Sequence, residues 1–274
     1  MTTDSAHQPD EAAFAEARRL DRPILLSVGY ASCHWCHVMA RESFADPATA
    51  AAVNEGFIAI KVDREERPDI DGLYQQALQR LRRGNGGWPL TVFLSPQGVP
   101  FYGGTYFPRE ASGGQSALRD VLASVSTVWT ERRADLARQD EALIAALSAA
   151  LPQPTGSPLD PSVQEEAIQQ LAVAFDARHG GFGGAPKFPH PTDLDFLLQL
   201  DSDIGTPSPR TMALESLRHI AEGGLFDQLG GGFFRYSVDP AWHIPHFEKM
   251  LCDSAMLLPL YANAWRASGE ALFR

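Results

Sequence analysis

Two cysteines three residues apart, set at the end of an apolar run, limit the fold more than any other feature of this chain. Residues 23–30 read Pro-Ile-Leu-Leu-Ser-Val-Gly-Tyr, a stretch of strand length, and Ala31-Ser32 lead directly into Cys33-His34-Trp35-Cys36. From Cys33 to Phe44 the pattern predicts a helix with Ser32 as its N-cap. A thiol in the first turn of a helix meets free amide groups and the positive end of the macrodipole, which favour the thiolate. Cys36 falls on the same face, where it can resolve a mixed disulfide. Strand, Cys-x-x-Cys and helix within a βαβ pattern predict a thioredoxin-like fold.

Three other readings of the pair stay open. Cys33 to His37 also fits the Cys-x-x-Cys-His pattern of haem attachment, a chemistry of exported proteins. Met1 to Ser5 carries neither the basic nor the apolar region of a signal peptide. A zinc site needs four ligands, and no second Cys-x-x-Cys exists. The pair could also be structurally inert. Three cysteines in 274 residues make no disulfide framework, and in a reducing compartment a close pair reads as catalytic or metal-binding first. The expectation is thiol–disulfide chemistry in the cytoplasm, with no organic cofactor and no metal.

Around the pair the sequence reads as a mixed α/β domain over 1–151. A helix is expected over 11–20, a second strand at Phe57–Asp63 and a helix over Asp69–Arg83. Gly84 to Gly87 break that helix before a buried strand at Leu90–Ser95, and Val99–Gly103 follows as its partner. Asp46 and Pro47 supply cap and first position for a short helix ending near Asn54. Gly114 to Leu151 reads as one long helix or two. Arg64-Glu65-Glu66-Arg67 reads as a solvated turn. Trp88-Pro89 opens the strand at Leu90; in thioredoxin folds a proline there is typically cis and faces the cysteines, and the alternative is an ordinary trans proline.

Pro152 to Pro161, rich in Pro, Gly and Ser, is the expected linker. Beyond it, over 162–274, only helices and loops are expected: Ser162–Arg178, Thr192–Leu200, 209–223 and Pro245–Ser268. Gly-Gly-Phe recurs, with Phe182 and Phe233 separated by 51 residues, which suggests repeated helical hairpins. The net charge of −11 divides as −4 over the first 150 residues and −7 over the rest, which argues against nucleic acid or an anionic membrane as partner. No apolar run reaches the ~20 residues of a spanning helix.

In the second part His243, His246, Glu248, Lys249 and Asp253 gather near the start of the last expected helix, with Trp242, Phe233, Phe234, Tyr236 and Phe247 close by. Such a set could line a sugar cleft, a carboxylic acid serving as general acid and a histidine as base. The same residues also make ordinary helix-start chemistry, with Lys249–Asp253 as an i,i+4 pair and Phe247, Leu251, Ala255 and Leu258 as a core stripe. Cys252 is expected to be a small buried apolar residue, and Lys187 to His190 a rigid loop.

Five stretches carry a resemblance: YASCHWCHVMARESF (30–44), KVDREERPDID (61–71), GGWPLTVFLSPQGVPFYGGTYFP (86–108), GGFGGAPKFPHP (180–191) and HIPHFEKMLCDSAMLL (243–258). They resemble the YyaL-like family, which includes the spermatogenesis-associated thioredoxin-domain proteins. The resemblance implies an α/β thioredoxin-like domain followed by an all-α toroid similar to six-hairpin glycosidases and sugar epimerases. It also implies Cys33 as attacking thiol, Cys36 as resolving thiol and Pro89 as cis-Pro. Ser27 stands where thioredoxins proper carry a buried aspartate, which suits a specialised member. Six hairpins need roughly 300 residues and 123 follow residue 151, so an incomplete toroid is expected, from a fragment or a member completed by oligomerisation. The expected partner is a protein or small-molecule disulfide. A carbohydrate-active hydrolase or epimerase with a structural thioredoxin-like part, and a non-catalytic redox-sensing scaffold, are the alternatives.

Overall fold

Alternation along the strands decides which side of the sheet each apolar residue reaches. A computed structural model of the chain describes residues 11–82, 84–149, 160, 162–200 and 207–274. Met1–Ser5 and the expected linker at 152–161, Asp160 excepted, lie outside them. Four strands, β1 (Ile24–Gly29), β2 (Ile58–Asp63), β3 (Leu90–Leu94) and β4 (Pro100–Gly104), form one sheet in the order β2-β1-β3-β4. β1 runs parallel to β2 and antiparallel to β3, and β3 antiparallel to β4. Ile24, Leu26 and Val28 point to one face with Leu90, Val92 and Leu94, where they meet α1 (Glu11–Leu20) and α4 (Pro68–Arg82). Leu25 and Phe93 point to the other, packed on Met39, Phe57 and the Leu118–Trp129 side chains of α5 (Leu118–Glu131). The central strands β1 and β3 are thus covered on both faces, which is why these two segments read as nearly continuous apolar runs.

The helix after β1 departs from expectation at both ends. α2 covers His34–Met39 and passes into a π-helical turn at Ala40–Phe44, where the amide of Ala45 bonds the carbonyl of Ala40. Its N-cap is Cys33, not Ser32: the Cys33 backbone is extended and its sulfur accepts the amide of Cys36. α3 (Pro47–Gly56) follows as read, with Asp46 accepting from the amide of Thr49 and Pro47 at the first position. Gly114–Leu151 resolves into α5 and a separate α6 (Arg133–Ala149).

By contacts the chain divides into two units, Met1–Pro154 and Thr155–Arg274. The second is helical: α7 (Ser162–Ala174), α8 (Pro191–Gln199), α9 (Pro209–Glu222) and α10 (Leu251–Ser268). Leu194, Leu197, Met212, Leu217, Ile220, Trp242, Leu257 and Leu260 form its core.

The Gly-Gly-Phe recurrence is the visible part of a longer duplication. Phe175 bridges Phe182 and Phe226 bridges Phe233, each pair enclosing a turn built on an aspartate. Asp176 accepts from the amides of Arg178 and His179 and binds Lys187; Asp227 accepts from those of Leu229 and Gly230 and binds Lys249. Phe175, Asp176, Gly180, Gly181 and Phe182 recur 51 residues on as Phe226, Asp227, Gly231, Gly232 and Phe233. Glycine is required at 181, where φ is +72° and a Cβ would stand 2.6 Å from the Trp242 ring.

The last helix is shorter than expected. Residues 243–249 are held extended against 235–238: Ser237 bridges Pro245, the amide of His246 bonds Tyr236, and that of Arg235 bonds Glu248. This pairing consumes the backbone groups a helix from Pro245 would need, so α10 begins at Leu251. The stripe changes with it: Phe247, Leu251, Ala255 and Leu258 are exposed, while Leu257, Leu260, Tyr261 and Ala264 face the core. Cys252, expected in the core, is exposed. Lys249 binds Asp227 instead of pairing with Asp253. Among the described residues no helix is long and apolar enough to cross a membrane.

Candidate functional site

Antiparallel pairing of β1 with β3 sets Val28 against Leu90, so Gly29 and Pro89, one residue beyond, lie at the same level. The cysteine motif therefore starts beside Pro89, which is buried and follows a cis peptide bond from Trp88. Cys33 and Cys36 are joined as a disulfide, with Cα atoms 5.3 Å apart. Cys33 is 3% exposed and Cys36 is half-buried. The amide of Cys36 lies 3.2 Å from Sγ of Cys33, and the amide of Cys33 bonds the carbonyl of Tyr30 at 3.1 Å. A Cβ on Gly29 would stand 2.9 Å from Sγ of Cys36; glycine leaves the space that sulfur occupies.

Beneath the pair, Ser27 is half-buried on β1, level with fully buried Thr91 of β3, whose hydroxyl donates to the carbonyl of Thr105. Around the rim, half-exposed Trp35 packs edge-on to Tyr106 with centroids 5.1 Å apart, and Tyr106 donates to Glu42. Burial, then the Glu42 carboxylate, raise the Tyr106 phenol. His37 contacts the carbonyl of Ala31 at 2.6 Å.

One group near the site was not singled out in the sequence. Asp71, in the first turn of α4, is buried, and its Oδ1 accepts from the Trp88 indole at 2.8 Å. Its Oδ2 lies 3.5 Å from Nε of Arg64. Arg64, expected in a solvated turn, lays its guanidinium over the Trp88 ring at 4.0 Å and the Tyr30 ring at 5.5 Å. The Asp-Arg-Glu-Glu-Arg-Pro-Asp-Ile-Asp run carried the signal, but nothing local says which of its charges turns inward.

In the second unit His246 and Glu248 are brought within 3.6 Å, and Arg235 also reaches the same Glu248 oxygen at 3.3 Å. The other Glu248 oxygen is buried without a hydrogen-bond partner among the described residues. The His246 ring stacks on Tyr236 at 4.7 Å and 7°, and Tyr236 meets half-exposed Phe188 at 4.8 Å. Burial raises the Asp253 carboxyl against the pull of Arg235. His243 is exposed, with its amide held by Asp239. Among the described residues no three His, Cys, Asp or Glu side chains converge as metal ligands would.

The family model described as "Protein of unknown function, DUF255" (Thioredox_DsbH) matches residues 6–148. Spermatogenesis-associated protein 20 of Homo sapiens is 41% identical over 271 residues, covering 96% of this chain and 34% of its own length. "Uncharacterized protein B0495.5" of Caenorhabditis elegans is 43% identical over 261 residues, covering 92% and 35%. The chain spans about a third of the length of these relatives. Among solved structures, "DsbH Oxidoreductase" aligns with a TM-score of 0.33 at 16% identity, over 48% of this chain and 92% of that one. A disulphide isomerase from Xylella fastidiosa Temecula1 aligns with a TM-score of 0.32 at 21% identity, over 42% and 87%.

Proposed function

The chain belongs to the DUF255 (Thioredox_DsbH) family, and from that premise we propose that its first unit is a thiol–disulfide oxidoreductase acting on a protein or small-molecule disulfide. The carrying observation is the Cys36 amide directed at Sγ of Cys33 from the start of α2. That donor and the helix N-terminus stabilise a thiolate at Cys33 once the pair is reduced.

In the proposed reaction the Cys33 thiolate attacks one sulfur of the substrate disulfide. A mixed disulfide forms, and the second substrate sulfur leaves as a thiolate that takes a proton from water. The deprotonated Cys36 then attacks Sγ of Cys33, forming the Cys33–Cys36 bond and releasing the first substrate sulfur, which is protonated in turn. Two electrons and two protons pass from the dithiol to the substrate. Pro89, level with Gly29, is the proposed contact for the substrate backbone. The cytoplasm is the setting this reading takes.

The test is trapping. Cys36→Ser is expected to accumulate a mixed disulfide through Cys33, and Cys33→Ser to form none. A wild-type pair that oxidises reversibly yet turns over no disulfide overturns the enzymatic reading in favour of a redox-sensing scaffold.

One observation favours a second reading, a carbohydrate-active second unit. The Phe188–Tyr236–His246 stack borders Glu248, offering an aromatic surface beside a carboxyl group and an imidazole. A monosaccharide and glycan binding screen tests it: binding abolished by Glu248→Ala and His246→Ala is expected, and binding indifferent to both removes this assignment.

A further inference from the structure

A buried carboxylate is costly unless it is paired and hydrogen-bonded, and Asp71 is buried where three segments of the dithiol site meet. Its Oδ1 accepts hydrogen bonds from the Trp88 indole and from the Gln75 amide, and its Oδ2 faces Arg64. One turn along α4, Gln75 clasps Gly87 twice: its amide donates to the Gly87 carbonyl at 3.0 Å, and its oxygen accepts the Gly87 amide at 3.1 Å. Residues 87 and 88 are therefore fixed from α4 immediately before Pro89. Arg64 is fixed at its other end, where its amide donates to the carbonyl of Gly29 at 2.9 Å. Tyr30, the third member of the stack, holds the amide of Cys33 through its carbonyl. The Arg64 guanidinium lies over Trp88 and Tyr30 while a third of its side chain stays exposed.

We propose that Asp71 is a positioning residue for the dithiol site, holding the Tyr30–Arg64–Trp88 stack as the wall along which a polypeptide disulfide lies beside Cys33 and Cys36. The proposal rests on the oxidoreductase reading. Asp71 reaches the reaction through Trp88, Arg64 and Gln75, whose amide donates to its Oδ1 at 3.4 Å. Its removal should loosen the seating of an extended substrate and leave the sulfur chemistry of the pair in place. A small disulfide, which spans only the sulfurs, should not register the change.

The test compares the full chain with Asp71→Asn, Asp71→Ala and Arg64→Met, using insulin as a polypeptide disulfide and dithiobis(nitrobenzoate) as a small one. Asp71→Ala is expected to raise KM for insulin about tenfold with kcat unchanged, as loss of substrate binding does. The kcat at saturation and the rate with the small disulfide should stay within twofold of wild type, and the reduction potential of the pair should be unchanged. Asp71→Asn, whose amide oxygen can still accept the indole proton but brings no charge to Arg64, should fall between. Arg64→Met strips the cation from the same stack and from Asp71 but leaves the Asp71 side chain and its indole bond in place, so it answers where Asp71→Ala does not fold. Fluorotryptophan labelling, with the Trp88 resonance assigned by Trp88→Phe, gives a readout free of turnover. Asp71→Asn should shift or broaden that resonance. An unchanged insulin KM, or an unmoved Trp88 resonance in a folded Asp71 variant, overturns the positioning role. A wild type that reduces neither probe overturns the oxidoreductase reading, and the resonance then decides whether Asp71 holds Trp88.

Discussion

The amide of Cys36 donates to the sulfur of Cys33 across 3.2 Å, so α2 is capped by the sulfur of its own redox motif. Charge and exposure then rank the two thiols oppositely. The cap favours the thiolate at Cys33, whereas Cys33 is the more deeply buried of the two. In the reduced protein at neutral pH, iodoacetamide is expected to label Cys33 severalfold faster than Cys36, as read by peptide mass mapping. Faster labelling of Cys36 would mean that exposure governs, and the attacking role would pass to Cys36.

Gly29 leaves no room for a side chain against the same pair. A methyl group there would lie 2.9 Å from Sγ of Cys36, closer than van der Waals contact allows. The free thiol of a reduced Cys36 can turn away, while a sulfur bonded to Cys33 cannot. Gly29→Ala should therefore destabilise the disulfide relative to the dithiol. If the clash costs the roughly 1–3 kcal/mol usual for overpacking, the midpoint potential rises by about 20–60 mV. Equilibration with a glutathione buffer measures it. An unchanged potential in a folded variant would show that Cys36 moves without penalty in both states.

What was legible in the sequence follows the range of the interactions involved. β1, the motif and the Asp46 cap declare themselves within a few residues, through apolar runs and side chains that bind their own neighbours. Asp71 and Arg64 were hidden because their partner, Trp88, is 17 residues from one and 24 from the other. The start of α10 was misread for a related reason. Pro245 and Glu248 are sound helix-opening residues, but their backbone is already committed to Tyr236, Ser237 and Arg235. Once the helix begins at Leu251, Cys252 turns away from the face that carries Leu257 and Leu260. The Gly-Gly-Phe repeat was visible, whereas its aspartate–lysine clamps were not. The lysines lie 11 and 22 residues beyond their aspartates and fall outside the 51-residue period.

Those two clamps share a design and differ in burial, which separates their energetic weight. Lys187 is fully buried; it binds Asp176 at 2.7 Å and the carbonyl of Pro240 at 2.9 Å, and lies 5.2 Å from the Trp242 ring centre. Lys187→Met leaves a half-buried carboxylate and a carbonyl without that partner. The expected cost is about 3–5 kcal/mol, as for other buried pairs broken on one side, read from urea unfolding of the second unit. Lys249 is 37% exposed in its side chain, where water replaces a lost partner, and Lys249→Met should cost much less. Equal losses would show that burial does not set the difference.

Acid should release the same two clamps in sequence. Burial works to raise the Asp176 carboxyl, but the Lys187 ammonium and the amides of Arg178 and His179 hold it well below the usual range. The amide of Gly230, then Lys249 and the amide of Leu229, lower Asp227 to about 2. Unfolding returns both to the ordinary aspartate value near ~3.9. Each folded carboxyl thus binds fewer protons than its unfolded counterpart. Its contribution is complete above about pH 4 and fades as pH falls through the folded value. For Asp227 that window runs from about pH 4 down to about 2; for Asp176 it lies lower. Urea midpoints taken from pH 5 downward should show the gap between wild type and Asp227→Asn closing as pH 2 is approached. The gap for Asp176→Asn should persist to lower pH, because its carboxyl is held well below the usual range. Gaps that stay constant with pH would mean that turn geometry, and not the carboxylate charge, supplies the stability of these turns.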